Sequence, residues 1–231
     1  MAKAGTARFS ISDSKYKGEP VVMSTLSFRT TSTFDKIFKI RDTLHSYVND
    51  RMEPLYHKKF LNEGSTCYTE ELRFKKFGHQ QSIATSARYG PDGSVRFEKE
   101  LEATEFAFDL VNTFIFARTL NYDLLTPGKT LSISSFVGRD VVKMKVRYVG
   151  QVILEKGTDK KYKTLKFEVD VVDEAFETSK NALEMWVSDD PNRIPLKIKA
   201  KLKIGSAEAE LDSFKGNKYP LSSLVIIKPR N

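Results

Sequence analysis

The chain has 231 residues, a formal net charge of +8, 40% hydrophobic residues and a single cysteine. One cysteine excludes an intramolecular disulfide and any zinc centre built from several thiolates, and no apolar run approaches the roughly 20 residues of a membrane-spanning helix. The length allows one large all-β domain whose core needs no covalent staples. The basic balance suits anionic partners, or exposed strand faces whose lysines oppose edge-to-edge pairing.

Met1–Gly5 is too short to be a signal peptide, so the expectation is either a native start or a Met placed on a mature chain. Strands are expected over Thr6–Ile11, Val21–Thr30, Thr43–Val48, Leu55–Asn62 and Thr66–Phe77. Between the second and third, Phe34, Ile37 and Phe38 fall at helical spacing and predict a short helix over Thr33–Ile40. Gly90-Pro91-Asp92-Gly93 predicts a hairpin turn between Gln81–Tyr89 and Ser94–Leu101, because proline presets one dihedral and glycine supplies a positive φ.

Asp109–Asn121 is the main helix candidate, with Asp109 as N-cap. Leu110, Phe114, Ala117 and Leu120 share one face. Val111, Ile115 and Phe116 make the other side apolar too, which predicts a helix buried against the inner side of a sheet. Arg118 in such a helix needs a carboxylate, and Asp109, Asp123 and Asp190 are the candidates.

Strands resume at Thr130–Phe136, Val141–Val149, Gln151–Glu155 and Lys161–Val172. In the second of these Lys143, Lys145 and Arg147 alternate with Val142, Met144, Val146 and Tyr148. Leu183–Ser188 follows, with Trp186 beside Glu184 and Ser188 and opposite Met185 and Val187. A turn at Asp189-Asp190-Pro191-Asn192 leads to a strand in which alternation is strict. Leu196, Ile198, Ala200, Leu202 and Ile204 face one way, and Lys197, Lys199, Lys201 and Lys203 the other. Closely spaced strands with few helices predict a mainly β fold. It is an antiparallel meander forming a barrel-like or sandwich sheet, with one buried helix and one short helix. No linker or repeat marks a boundary, so a single domain over 1–231 is expected, with a short tail after about 212.

Chemistry is sparsely indicated. His45, His57 and His79 lack metal-ligand spacing, and neither a metal nor a cofactor is expected. There is no Gly-x-Ser-x-Gly elbow and no Gly-rich phosphate loop. Glu98, Glu100 and Glu102 line one strand face and read as solvated rather than as a facing carboxylate pair. Cys67 reads as a free, partly buried thiol. Tyr56-His57-Lys58-Lys59-Phe60 and Arg73-Phe74-Lys75-Lys76-Phe77 interleave basic and aromatic residues. In the second, however, Leu72 and Phe74 segregate from Arg73 and Lys75, which argues against a nucleic-acid platform. The basic set Lys197, Lys199, Lys201, Lys203, Lys143, Lys145 and Arg147 is the candidate binding surface, for an anionic lipid or an acidic polysaccharide.

Several segments of the second half stand in a recognisable order. They are Phe108-Asp109-Leu110, Phe116 to Leu120, Leu125 to Lys129, Trp186 to Pro195, and Ile204-Gly205-Ser206 ahead of Leu211. Over Ala107–Leu211 the chain resembles the domain of unknown function 3108 family. The resemblance implies an exported bacterial protein whose precursor bears a signal peptide, located in the periplasm or cell envelope. It also implies a predominantly β fold similar to the large meander proteins called YmcC-like, and no established activity or catalytic residue. Asp109, Arg118, Trp186, Asp189, Asp190, Pro195 and Gly205 are then read as structural. The function expected is a non-enzymatic binding or structural role, with an envelope glycan hydrolase as the alternative.

Overall fold

The computed structural model describes residues 3–157, 160–171, 180–201 and 205–226. It is mainly β, with 62% strand against 8% helix and sheets that curl like half-barrels. That bears out the fold class read from turn spacing.

By contacts the chain forms two compact units, Met1–Thr119 with Ser134–Val142, and Leu120–Ile133 with Lys143–Asn231. The chain crosses between them three times, once just after a helix that ends at Thr119 and twice inside continuous strands, so no Pro-, Gly- or Ser-rich linker announces the boundary.

The first unit is built on a seven-stranded antiparallel sheet whose order follows the chain: β1 (Gly5–Tyr16), β2 (Glu19–Thr30), β3 (Arg41–Val48), β4 (Pro54–Glu63), β5 (Thr66–Lys76), β6 (Ser82–Tyr89) and β7 (Val95–Ala103). Helix α1 is a single turn, Ser32–Asp35, between β2 and β3. The longer helix expected over Thr33–Ile40 does not form. Asp35, the last residue of α1, is held by Arg41 at 2.6 Å, and Ile37 and Phe38 stand in solvent, so no buried face favours carrying the helix on. The short β8 (Ala107–Phe108) precedes α2 (Leu110–Thr119) and pairs in parallel with β9 (Thr130–Val137), Ala107 opposite Ser134. The apolar core of this unit gathers Leu72, Ala84, Leu101, Ala103, Ala107 and Phe136, with Phe74 against it.

Asp109 caps α2 as expected, its Oδ1 accepting the backbone N–H groups of Val111 and Asn112 at 3.0 Å each. The helix packs on β2 and β3, but through Val111, Asn112 and Ile115. Leu110 is 51% exposed, so the face read from Leu110 and Phe114 is not the buried one. The reason is the cap: holding Asp109 fully buried turns the next residue outward. Cys67, expected to be partly buried, is exposed. It lies at the start of β5 beside the Gly64 turn, before the strand enters the core.

In the second unit β10 (Asp140–Lys156) pairs with β11 (Lys160–Val171), which continues to β12 (Leu183–Ser188), β13 (Pro195–Lys201) and β14 (Ser206–Glu210), all antiparallel. The expected strands Val141–Val149 and Gln151–Glu155 are one. Gly150, at φ +141, absorbs a register shift between Tyr148 and Gly150 without breaking the strand. Two clusters form the core here: Tyr148, Leu165, Phe167 and Val187, and Tyr162, Ile194 and Leu196. After Leu211 the chain does not trail away. It returns to form β15 (Leu224–Ile226), which pairs with the start of β11, and Leu221 and Leu224 pack on the second cluster. Thr158, Asp159, Val172, Leu202, Lys203 and Ile204 lie outside the described residues.

Candidate functional site

The basic strand face is present, yet Lys197, Lys199 and Arg147 are matched by acids. Lys197 lies 2.9 Å from Glu208 and 3.1 Å from Glu210, and Lys199 lies 3.5 Å from Glu208. These acids alternate on β14 as the lysines do on β13, so the antiparallel register sets Lys199 opposite Glu208 and Lys197 opposite Glu210. One strand further, Lys166 pairs with Glu184 at 2.9 Å. Arg147 bonds to Glu168 and, at 2.6 Å, to Asn181 Oδ1. Trp186 lies in the middle of this lattice, with Lys166 Nζ 5.1 Å and Lys197 Nζ 6.0 Å from its ring centroid. Glu208 is held below the usual carboxylate range by its bond from Lys197. Lys143 and Lys145 are exposed and Lys201 is half-buried; among the described residues none of the three forms an ion pair. Sequence reading located the lysines and a third strand after them within Leu183–Leu211, but not the pairing of that strand's acids with the lysines. The signal was there in Ser206-Ala207-Glu208-Ala209-Glu210, whose period matches.

Replacing Lys197 by glutamine is therefore expected to cost under about 1 kcal/mol, because partly exposed ion pairs are individually weak. Urea unfolding checks this; a loss above roughly 2 kcal/mol would show that the lattice acts as a buried network.

The turn after β12 builds a different kind of site. Asp190 is buried, and its Oδ1 accepts the Asn192 N–H at 2.9 Å, an Asx contact. Ser188 donates to it at 3.2 Å, and its Oδ2 accepts the Ser223 N–H at 3.3 Å. Burial raises the Asp190 carboxyl, but these donors outweigh it and hold the group below the ordinary aspartate value. Asn192 fastens the returning chain, donating to Tyr219 O at 2.9 Å and accepting the Tyr219 N–H at 3.0 Å. Pro195 opens β13 opposite Val187, next to a register shift where a missing N–H costs little. Gly205, at φ +81, supplies the left-handed residue before β14.

With the turn fixed from behind, its outer residues line a pocket of about 380 Å³ with walls from Tyr122, Leu125, Pro127, Tyr148, Gln151, Leu165, Asp189 and Arg193. Arg193 is held at φ +50, a conformation unfavourable for a side chain with a Cβ. Its guanidinium lies 4.5 Å from the Tyr122 ring centroid and 3.2 Å from Asp189 Oδ1. Gln151 Nε2 donates to Asp189 Oδ2 at 2.9 Å. The Tyr148 hydroxyl is pushed above its usual range, by burial first and by Asp189 next. The expected structural role of Asp189 thus becomes a place on a pocket wall. Arg193, Gln151 and the two tyrosines are residues that sequence reasoning did not single out. The available signal was Arg193, four residues after Asp189 in the same turn.

A third polar group lies inside the first unit. Ser24, Ser46 and His57 fall in one cross-strand row of β2, β3 and β4. Ser46 Oγ donates to Asp109 Oδ1 at 2.6 Å and lies 2.8 Å from His57 Nδ1, while His57 Nδ1 and Asp109 Oδ1 are 3.4 Å apart. Serine, histidine and aspartate meet here, but not as a nucleophile relay. A relay places the nucleophile and the carboxylate on opposite nitrogens of the histidine ring, and here serine and aspartate share Nδ1. Ser46 and Asp109 are also fully buried. Asp109 and Asp190 are thus committed elsewhere, and the side chain of Asp123, the third carboxylate expected for Arg118, lies outside the described residues.

Fold and site together define a mainly β protein with a polar, aromatic-walled pocket. The chain belongs to the family described as "Protein of unknown function (DUF3108)", whose model matches residues 1–212. No curated protein and no solved structure matches the chain.

Proposed function

We propose that the protein is a non-catalytic binding protein of the bacterial cell envelope whose pocket takes an acidic saccharide. The observation that carries this reading is Arg193. Its guanidinium lines the pocket, lies over Tyr122 and is held by Asp189. A guanidinium presents a planar fork that matches a carboxylate in two parallel hydrogen bonds. A uronic acid could replace Asp189 on that fork. The Tyr122 and Tyr148 rings offer apolar faces for a sugar ring, and Gln151 and Asp189 offer fixed hydrogen-bonding groups for its hydroxyls.

A glycan hydrolase requires two carboxylates facing each other across the scissile bond. Among the described residues lining this pocket, Asp189 is the one carboxylate, and Asp190 behind it is buried and engaged. The basic face of β10 and β13 supports an anionic ligand less well, because Arg147, Lys197 and Lys199 are already matched.

Titration calorimetry with oligomers of glucuronate, and with their neutral glucose counterparts, tests the reading. The acidic oligomers are expected to bind, and Arg193→Gln to weaken them at least about tenfold, or roughly 1.4 kcal/mol. Equal affinity for both series, or no effect of the substitution, would sink it.

A further inference from the structure

The connection from β2 to β3 presents an apolar pair that the fold leaves outside. Lys36, Ile37, Phe38 and Lys39 are all exposed, Ile37 by 80% and Phe38 by 50%. Adjacent exposed apolar residues are unusual on a soluble surface unless something covers them.

The loop is firmly built rather than loose. Thr31 caps α1, accepting the Phe34 N–H at 3.5 Å. Asp35 takes both guanidinium nitrogens of Arg41, at 3.0 and 2.6 Å, and the Thr30 hydroxyl at 2.5 Å. Those bonds hold its carboxyl below the ordinary range. On the far side Gly64 N–H donates to Lys39 O at 2.8 Å, and Ile40 bridges to Glu63. Gly64 sits against the Phe38 ring so closely that a Cβ there would lie 3.0 Å from Cε2, and its φ is +57. A polar frame therefore fixes the base of the loop, and the two apolar side chains are what it displays.

Both flanking residues are lysines, and neither forms an ion pair among the described residues. Their ammonium groups stand one residue to either side of the apolar pair. This is the arrangement of an interfacial anchor: apolar side chains enter the boundary between headgroups and acyl chains, while lysine stems lie along it and their charges meet lipid phosphates. The net charge of +8 adds long-range attraction to an anionic surface. A tip that projects, rather than a groove, fits a surface that deforms around it; a protein partner would need a ready-made cavity.

We infer that the Lys36–Lys39 loop docks the protein onto an anionic lipid surface, with Ile37 and Phe38 inserted and Lys36 and Lys39 on the headgroups. The full chain should float with vesicles of phosphatidylcholine containing roughly a third phosphatidylglycerol, and much less with phosphatidylcholine alone. I37S/F38S should reduce flotation at least about tenfold at any salt concentration. K36Q/K39Q should reduce it chiefly at low salt. Thermal melting should match the parent for both variants, because the substituted side chains are exposed. Phe38→Trp should add a blue-shifted fluorescence on vesicle addition that the parent, with Trp186 alone, does not show. A parent that ignores anionic vesicles, or I37S/F38S floating as the parent does, would overturn the inference; so would a Phe38→Trp spectrum unmoved by lipid. Arg193→Gln should leave flotation unchanged, so this result is independent of the pocket.

Discussion

Replacing Asp109 by alanine should lower the stability of the protein by roughly 3–5 kcal/mol, the usual cost of breaking a buried charged pair. The carboxylate caps α2, takes the Ser46 hydroxyl and faces His57, and it also accepts Asn112 Nδ2 at 2.6 Å. Removing it strands several donors in a site without solvent. Asp109→Asn should cost less, since asparagine caps a helix about as well as aspartate; the gap between the two variants measures the cap, and the gap between parent and Asp109→Asn the charge. Burial raises the Asp109 carboxyl, yet the His57 charge and the bonds from His57, Ser46 and Asn112 hold it below its ordinary 3.8. A depressed folded-state value stabilises fully above the unfolded one and is lost as pH falls through the folded one. The part of the difference between parent and Asp109→Asn that comes from the depressed carboxyl should therefore close as pH falls below about 4. Chemical unfolding across pH tests both points. An alanine variant within 1 kcal/mol of the parent, by the cavity and charge costs above, would mean that the cluster contributes little.

Ending the chain after Asp212 should destabilise the second unit by roughly 2–4 kcal/mol, since two half-buried leucines each contribute less than the about 1.5–3 kcal/mol of a fully buried one. The segment lost would include Leu221 and Leu224, which pack against Tyr162, Ile194 and Leu196, and the strand pairing of β15 on β11. Asp190 would also lose the Ser223 N–H, and Asn192 its contacts with Tyr219. The turn that carries Arg193 rests on those two residues, so the truncated chain should also be cut faster by proteases between 188 and 195. An unchanged unfolding midpoint and cleavage pattern would show that the turn stands without its backing.

Much of the fold was readable because strands write a local code. Turn residues at Gly90–Gly93 and alternation in β13 fix where strands start and which face is apolar, independent of what lies across from them. The N-cap at Asp109 is equally local. What sequence hid was pairing at a distance. The match of Glu208 and Glu210 to Lys197 and Lys199 depends on which strand lies next to β13. Ser46, His57 and Asp109 are separated by 11 and 63 residues along their bonds, and nothing in their spacing predicts that they meet. The pocket was hidden for the same reason: Tyr122, Tyr148 and Arg193 come from three separate segments. The length of α1 failed because the helical spacing of Phe34, Ile37 and Phe38 counted apolar residues without knowing that Ile37 and Phe38 would be left exposed.

The interleaving of the two units carries a consequence for biosynthesis. Phe136, a central residue of the first unit's core, and the parallel partner of β8 both come from residues 134–142, after the chain has already entered the second unit at Leu120. A ribosome emitting this chain cannot release a finished first unit at residue 119. The seven strands of its sheet must wait, with Leu72, Ala84 and Leu101 incompletely covered, until the segment around Phe136 has cleared the exit tunnel. Incompletely covered β-sheets are the species most exposed to misassembly during folding. The stretch of synthesis between about residues 103 and 142 is thus the interval in which a nascent-chain chaperone has most to protect, and pausing translation there should change the yield of soluble protein more than pausing it anywhere later.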